Sequence, residues 1–286
     1  MKIIDILNTK EVTLSFEVFP PKTEAGILTV EQATEQIAAL RPDFMSVTYG
    51  AGGGTSKHTT LIASDLQHKY GTNVLAHLTC VSSTRETVRG MIRKYRENGI
   101  ENIMALRGDI PAEGRTVFDY NHASDLIYDI KSIDDSFCIG GACYPEGHVE
   151  CERQSEDIMH LKEKVDAGCD FLTTQMFFDN ATMYSFMYRI REAGIEVPIV
   201  AGIMPITNPG QVKRSVALSG ATIPQRFRTM VDRFGDDPES MKQAGVVYAA
   251  EQIVDLIANG VTHIHVYSMN KPEIAAAIQN SLSALW

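Results

Sequence analysis

Residues 73–109 read NVLAHLTCVSSTRETVRGMIRKYRENGIENIMALRGD and contain one complete strand–helix–strand unit. An apolar run at 73–80 is followed by a charged stretch, 84–99, whose apolar residues recur with helical spacing. That stretch ends on Gly99, and glycine commonly follows the last residue of a helix. A second apolar run begins at residue 102. Two short strands separated by a helix of this length are typical of a parallel βαβ unit.

The same alternation continues in both directions along the chain. Gly71, Gly168, Gly194 and Gly260 close further helical stretches just before a strand. We therefore predict an α/β fold, a (β/α)8 TIM barrel in which residues 1–286 form a single domain, with an open doubly wound sheet as the alternative. The predicted strands span residues 13–20, 43–50, 73–80, 102–109, 137–145, 171–178, 197–205 and 263–269. The predicted helices span residues 30–40, 58–71, 84–99, 123–132, 154–168, 181–194, 208–220 and 239–260.

The composition narrows the class of protein. The chain has 286 residues, of which 44% are hydrophobic and 22% charged, which suits a globular protein. A formal net charge of -10 and a pI of about 5.3 disfavour nucleic acid or an anionic membrane as a partner. No apolar run approaches the roughly 20 residues of a membrane-spanning helix, and MKIIDILNTKEV does not resemble a secretory signal. Five cysteines without a C-x-x-C pair predict free thiols and a cytoplasmic location.

Active sites of such barrels lie at the C-terminal ends of the strands. The stretch SFEVFPPK, residues 15–22, brings Glu17 near the end of the first predicted strand, among Phe16, Val18 and Phe19. An unpaired carboxylate in apolar surroundings is costly, so we expect burial to raise the pKa of Glu17. The other polar residues at predicted strand ends are Thr48, His77, Arg107, Asp109, Tyr144, Gln175 and those at 267–271.

Three further motifs have both a structural and a functional interpretation. The glycine-rich segment 49–57, YGAGGGTSK, lacks the P-loop spacing and is either a flexible loop or a loop that lets a cofactor approach the backbone. His263 and His265 face the same way on one strand but have no further evident ligands, which favours a structural role over a metal site. Arg107 and Asp109 form either a surface ion pair or contacts with a ligand over the barrel mouth. The chain contains no G-x-G-x-x-G motif, which disfavours a Rossmann dinucleotide site.

Eight motifs occur in order along essentially the whole chain: SFEVFPPK, SVTYGAGG, AHLTC, ALRGD, ACYPEGH, TQMFFD, GIMPI and HVYSMNK. Together they resemble the methylenetetrahydrofolate reductase family in its bacterial catalytic-barrel form. Their joint order and spacing are far more specific than any one of them.

The resemblance implies an oxidoreductase of folate and one-carbon metabolism that serves methionine biosynthesis. Members of that family bind FAD non-covalently at the barrel mouth and use NADH or NADPH to reduce 5,10-methylenetetrahydrofolate to 5-methyltetrahydrofolate. The two substrates take turns at the flavin, which gives ping-pong kinetics. The alternatives are a folate-binding barrel methyltransferase without flavin, and a non-catalytic flavin- or pterin-binding subunit. The expected partners are small molecules, with no nucleic acid and no membrane, and a homo-oligomer is expected.

The resemblance also assigns roles to individual residues. Glu17 matches the proton donor that opens the folate ring, and Asp109 matches a residue that hydrogen-bonds the pterin and tunes the charge around the flavin. Gln175, Gln211 and Lys271 match substrate-contacting positions, as do Glu17 and Asp109. The FAD-contacting positions match Thr48, His77, Arg107, Gly108, Asp109, Ala123, Tyr144, His148, Asp157, His160 and Lys164.

Two positions depart from the family pattern, and three of the matched residues have a spacing typical of one helix face. Lys271 stands where relatives have arginine, so the charge is kept but the bidentate fork is lost. Ser215 stands where some relatives have phenylalanine in a loop that folds over ligands. Asp157 and His160 are three residues apart and His160 and Lys164 are four apart, a spacing that brings side chains to one face of a helix.

Overall fold

Eight parallel strands form the centre of this computed structural model, which describes residues 1–21, 23–49, 56–110 and 114–286. The strands are β1 (Thr13–Val18), β2 (Phe44–Val47), β3 (Val74–Thr79), β4 (Asn102–Leu106), β5 (Cys138–Cys143), β6 (Phe171–Thr174), β7 (Ile199–Ile203) and β8 (His263–Val266). Each strand pairs with the next in sequence, and β8 pairs in parallel with β1. The sheet is therefore a closed barrel, as predicted, and the open doubly wound alternative is excluded.

Helices connect the strands on the outside of the barrel, as parallel pairing requires. They are α1 (Ile3–Thr9), α2 (Ile27–Ala38), α3 (Ser56–His68), α4 (Arg85–Glu97), α5 (Ala123–Ile133), α6 (Gln154–Asp166), α7 (Asn180–Glu192), α8 (Pro209–Ser219), α9 (Gln225–Phe234), α10 (Pro238–Ala258) and α11 (Pro272–Ser281), and a short 3-10 helix (Glu24–Gly26) precedes α2. None of the helices within the described ranges is both long and apolar enough to cross a membrane.

The core has two layers because strand side chains alternate between the two faces of the barrel wall. The outer layer lies between strands and helices and includes Leu14, Phe16 and Val18 of β1. The inner layer fills the N-terminal half of the barrel interior with residues from β2 to β7, such as Phe44 and Phe171. The strands are therefore buried on both faces, as is usual for parallel sheets.

The helix α1 closes the N-terminal end of the barrel. Ile3 and Leu7 belong to the inner apolar layer and are 0% and 4% exposed. Asn102, at the start of β4, accepts a hydrogen bond from the amide of Ile3 at 2.8 Å and donates one to the carbonyl of Val74 at 3.0 Å. These contacts seal one end of the barrel and leave the C-terminal ends of the strands for a site.

All eight predicted strands and all eight predicted helices are found, with ends that differ by a few residues. The glycines at 71, 99, 168, 194 and 260 have positive φ, as expected for residues that end a helix. The predictions missed α1, α9 and α11, although α9 carries apolar residues with helical spacing and α11 begins with a proline at its first position. All five cysteines are free, as predicted, and four of them are buried.

Candidate active site

Glu17 points into the barrel near the C-terminal end of β1. Its side chain is 8% exposed, its Oε2 atom lies 3.3 Å from the hydroxyl of Ser46, and Nε2 of His77 lies 3.7 Å from the same oxygen. The prediction that Phe16 and Val18 form its surroundings is wrong, because adjacent strand residues face opposite sides and these two pack against the helices. The surroundings of Glu17 are polar groups of the barrel interior.

Burial raises the pKa of Glu17 to about 8, and the hydrogen bond with Ser46 lowers it by a smaller amount. The predicted direction is thus confirmed, although the barrel interior rather than the sequence neighbours is the cause. Burial lowers the pKa of His77 to about 4, so its imidazole is neutral near pH 7 and supplies no cation to ionise the carboxyl. This end of the barrel therefore holds a carboxylic acid that keeps its proton at neutral pH.

The two histidines of β8 contact hydroxyl groups inside the barrel. Nδ1 of His265 lies 2.8 Å from Oγ of Ser15, and its Nε2 lies 3.4 Å from Oγ of Ser46. Nδ1 of His263 lies 3.1 Å from Oγ1 of Thr13. Within the described part of the chain, no three His, Cys, Asp or Glu side chains come together to hold a metal ion. These contacts support the structural interpretation of both histidines over the metal site.

A cavity of about 540 Å³ opens at the ends of β4 and β5, between the loops that follow them and the helices α5 and α6. Its volume is typical of small-molecule sites, which span about 300–1,000 Å³. Thr48, which follows β2, and His77, within β3, are not part of its lining. The other nine predicted cofactor-binding residues line it: Arg107, Gly108, Asp109, Ala123, Tyr144, His148, Asp157, His160 and Lys164.

One wall of the cavity is a face of α6. Asp157, His160 and Lys164 all line it, so the prediction that they share a helix face is confirmed. The ammonium of Lys164 donates to the carbonyl of Ala142 at 2.5 Å, and burial lowers its pKa. Burial raises the pKa of Asp157, and the charge of Lys164 opposes that change. The ring of His160 stacks on that of His122, with centroids 5.7 Å apart.

The facing wall begins at the N-terminus of α5, where Ala123 and Ser124 form the first turn and line the cavity. Unpaired amides and the helix dipole make such an end favourable for anions. Tyr144 and His148 contribute an edge-to-face ring pair with centroids 4.6 Å apart. The cavity thus combines aromatic surface with groups that can bind a negatively charged ligand.

The loop after β4 carries Arg107, Gly108 and Asp109. Arg107 makes a bidentate ion pair with Glu150, with both N–O distances 2.7 Å, which raises the pKa of Arg107 and lowers that of Glu150. An ion pair was one of the two interpretations of this motif, but the partner of Arg107 is not Asp109, which is exposed at the cavity. Gly108 has φ +86°, and a Cβ there would lie 3.0 Å from the side chain of Thr79, so the turn requires glycine.

Gln211 and Lys271 meet at Thr207, beyond the ends of β7 and β8. The amide oxygen of Gln211 accepts hydrogen bonds from the backbone of Thr207 at 2.7 Å and of Asn208 at 3.1 Å, which caps α8. Nζ of Lys271 donates to the hydroxyl of Thr207 at 3.1 Å. Gln175 directly follows β6, as predicted. None of these three predicted substrate-contacting residues, and not Glu17, lines the cavity beside β4 and β5.

The local structure differs from the prediction at Ser215, and two residues near the site, Ser46 and Glu150, were not predicted. Ser215 lies within α8 and is 4% exposed, so it is a buried helix residue rather than part of a covering loop. Ser46, which pairs with Glu17 across β1 and β2, was not predicted. Ser46 is two residues after Phe44 on the same strand, so the two share the face that points into the barrel. No sequence pattern pointed to Glu150. Most of the glycine-rich segment, 50–55, lies outside the described residues.

Comparisons with known proteins agree on one family. A family model described as methylenetetrahydrofolate reductase matches residues 2–283. The 5,10-methylenetetrahydrofolate reductase of Escherichia coli (strain K12) is 37% identical over 273 residues, which cover 95% of this chain and 91% of that protein. Methylenetetrahydrofolate reductase 1 of Schizosaccharomyces pombe is 39% identical over 296 residues, which cover 100% of this chain and 49% of that protein.

A solved structure from Clostridium thermocellum has a similar fold. That protein, described as binding two copies of 5-methyl-5,6,7,8-tetrahydrofolic acid, superimposes with a TM-score of 0.66 over 100% of this chain and 99% of its own. At 16% sequence identity, this likeness supports the barrel fold alone.

Proposed function

The chain belongs to the methylenetetrahydrofolate reductase family, and on that premise we infer that it is an oxidoreductase that reduces 5,10-methylenetetrahydrofolate to 5-methyltetrahydrofolate. The family implies a flavin and a reduced nicotinamide. We propose that residues 1–286 act as one catalytic domain, with FAD bound non-covalently and either NADH or NADPH as the reductant. The observation that carries the proposal is a carboxyl that is buried near the open end of the barrel, where burial raises its pKa, while the same end of the barrel has a cofactor-sized cavity.

The cavity residues suit FAD. The N-terminus of α5 and the ammonium of Lys164 are suitable for a diphosphate, and Tyr144 and His148 offer ring surfaces to the aromatic parts of the molecule. Arg107 is available as a further cation if it exchanges Glu150 for a ligand phosphate. When bound, FAD supplies a carrier that accepts hydride from the nicotinamide and returns it to the folate.

Glu17 is proposed as the general acid. The five-membered ring of the folate must open to an iminium cation before hydride can add, and opening requires a proton on the departing nitrogen. A carboxyl with a pKa of about 8 still holds that proton at neutral pH, when an ordinary glutamate has lost it. Neutral His77, 3.7 Å away, leaves this proton on the carboxyl.

The remaining roles are proposed from the matched positions. Asp109 would hydrogen-bond the pterin and favour the cationic iminium through its negative charge. Gln175 can donate and accept together, which suits the edge of a heterocycle. Since the amide oxygen of Gln211 caps α8, its amide nitrogen is the atom that would contact substrate. Lys271 would give the substrate a single cationic contact.

The test separates the two half-reactions by anaerobic stopped-flow absorbance. Wild-type protein should lose its flavin absorbance with NADH or NADPH and regain it with methylenetetrahydrofolate. Glu17→Gln should bleach within about tenfold of the wild-type rate, because that step needs no proton at the folate. Its recovery should be slower by about 10²–10⁴-fold, the usual loss for a positioned general acid.

Near-normal recovery in Glu17→Gln would show that Glu17 is not the proton donor. Acid precipitation should release FAD into the supernatant, and a coloured pellet or FMN alone would refute non-covalent FAD. A colourless protein would favour the folate-binding methyltransferase, and a yellow protein without turnover would favour the non-catalytic subunit.

A further inference from the structure

A continuous series of hydrogen-bonding groups leads from Glu17 to a backbone carbonyl. Oε2 of Glu17 lies 3.3 Å from Oγ of Ser46, which lies 3.4 Å from Nε2 of His265. Nδ1 of His265 lies 2.8 Å from Oγ of Ser15, and that hydroxyl donates to the carbonyl of Ile264 at 3.1 Å. Glu17, Ser46, His265 and Ser15 are all buried, so their polar groups must satisfy one another.

The direction of the bonds at Ser15 and His265 follows from the last member of the series. A carbonyl can only accept, so Ser15 uses its one proton on Ile264 and must accept from Nδ1 of His265. Burial lowers the pKa of His265 to about 3, so the ring is neutral and carries a single proton. With that proton on Nδ1, the Nε2 atom is an acceptor.

The same logic continues to the carboxyl. The hydroxyl of Ser46 has one proton and two neighbours that can accept it, Oε2 of Glu17 at 3.3 Å and Nε2 of His265 at 3.4 Å. When Ser46 donates to Oε2, it stabilises the carboxylate and lowers the pKa of Glu17. When Ser46 donates to Nε2 of His265, it can only accept from Glu17, and that contact is a hydrogen bond only while Glu17 is a carboxylic acid with its proton on Oε2. His265 therefore favours the acid by competing for the hydroxyl proton of Ser46.

Among the residues that the structure describes, three other groups near Glu17 do not donate to its carboxyl. Nε2 of His77, on β3, is 3.7 Å from Oε2, beyond hydrogen-bonding distance. The phenol of Tyr267, which directly follows β8, donates to the carbonyl of Thr174 at 2.7 Å. The hydroxyl of Ser268 contacts the backbone oxygen of Glu17 rather than its carboxyl.

We propose that His265 is a positioning residue that acts through Ser46 to keep the carboxyl of Glu17 a proton donor. The catalytic part of this inference rests on the proposed role of Glu17 as general acid. The hydrogen-bond direction does not depend on that role and can be measured without any substrate.

The first test uses two substitutions of His265, each of which keeps a polar group at the position of only one ring nitrogen. The amide of His265→Asn overlays Nδ1 and removes the acceptor at Nε2, whereas the amide of His265→Gln overlays Nε2 and keeps an acceptor there. In His265→Asn the hydroxyl of Ser46 is free to donate to the carboxylate. The alkaline limb of the pH profile for folate reduction should then fall by about one pH unit, the effect of one hydrogen bond to a charged group.

In His265→Gln the alkaline limb of the pH profile should lie within a few tenths of a pH unit of the wild-type limb. His263→Asn is the matched control, because His263 lies two residues away on the same strand, faces the same way and bonds Thr13 instead. Its limb should not move. An unmoved or raised limb in His265→Asn would overturn the proposal, as would an equal fall in both His265 variants.

The second test needs neither turnover nor a stable variant at position 265. Nitrogen-15 NMR of wild-type protein near pH 7 should assign His265 to the tautomer protonated on Nδ1. Infrared titration should show the carboxylic-acid band that Glu17→Gln abolishes persisting past neutral pH. An Nε2-protonated ring would reverse the series and refute the proposal. A correct tautomer and band without folate reduction would leave it standing and reject the proposed function.

Discussion

Replacing Glu17 by glutamine should change how the stability of the protein depends on pH. The pKa of Glu17 is about 8 in the folded protein and about 4.5 when exposed, so the folded state binds this proton more tightly. Wild-type protein therefore has the full stabilising contribution of the bound proton below about pH 4.5 and loses it as the pH rises toward 8. Glutamine keeps a polar group of similar size but has no proton to lose.

The size of the effect follows from the two pKa values. One unit of pKa difference corresponds to about 1.4 kcal/mol. Integrating the proton difference from about pH 5 to about pH 7.5 gives a loss of about 3 kcal/mol in wild type relative to the variant. Any fixed cost of the amide shifts the whole curve and leaves its slope unchanged. His77 and His265, which are neutral in both proteins, contribute equally to both and cancel in the difference.

Urea titrations of both proteins across this pH range measure that difference directly. The unfolding free energy of Glu17→Gln minus that of wild type should rise by about 3 kcal/mol with increasing pH. Glu11→Gln, at an exposed carboxylate before β1, controls for the change in net charge. A difference that stays flat across the range would mean that Glu17 ionises as an ordinary glutamate, and the argument for a buried acid would fail.

Three further predictions concern other parts of the structure. A Cβ at Gly245 would lie 1.8 Å from the carbonyl oxygen of Ile206, so Gly245→Ala should lower the unfolding free energy by about 3 kcal/mol. At Gly90 nothing lies within 4 Å of such a Cβ, so Gly90→Ala should raise the unfolding free energy by up to about 1 kcal/mol. Asn270 has φ 54° and makes two side-chain hydrogen bonds to the loop after β1. In urea titrations, Asn270→Ala should lower the unfolding free energy by about 2 kcal/mol, and Asn270→Gly should lower it by about 1 kcal/mol less because glycine tolerates positive φ. Asp109→Asn should raise the flavin midpoint potential in a spectroelectrochemical titration and slow folate reduction, because it removes a negative charge from the proposed flavin site. Unchanged values for both would contradict the proposed role of Asp109.

The barrel could be predicted because its signals are local. A strand such as β3 and a helix such as α4 each show their own periodicity within a few residues, and glycines such as Gly99 mark the boundaries. The predicted cofactor-binding residues came instead from the resemblance to a family, since no periodicity distinguishes His160 from any other helical histidine.

The surroundings of Glu17 could not be read from its neighbours in sequence. Ser46 is 29 residues away, and it is the pairing of β1 with β2 that brings the two together. Phe16 and Val18 are adjacent to Glu17 but face the opposite side of the wall. Gln211 is a different case, because Asn208 followed three residues later by glutamine is a local capping-box pattern that predicts its observed hydrogen bonds.

The seal that α1 makes at the base of the barrel sets an order of assembly during synthesis. Ile3 and Leu7 pack in one cluster with Phe171 and Val200, and Val200 is made nearly 200 positions later. At roughly 5–20 residues per second, the ribosome takes about 10–40 s to span that interval. Throughout it, an apolar helix has no completed barrel to enter and is exposed to chaperones and proteases. The helix α1 is made before the eight strands of the barrel and is therefore among the last of these elements to be buried.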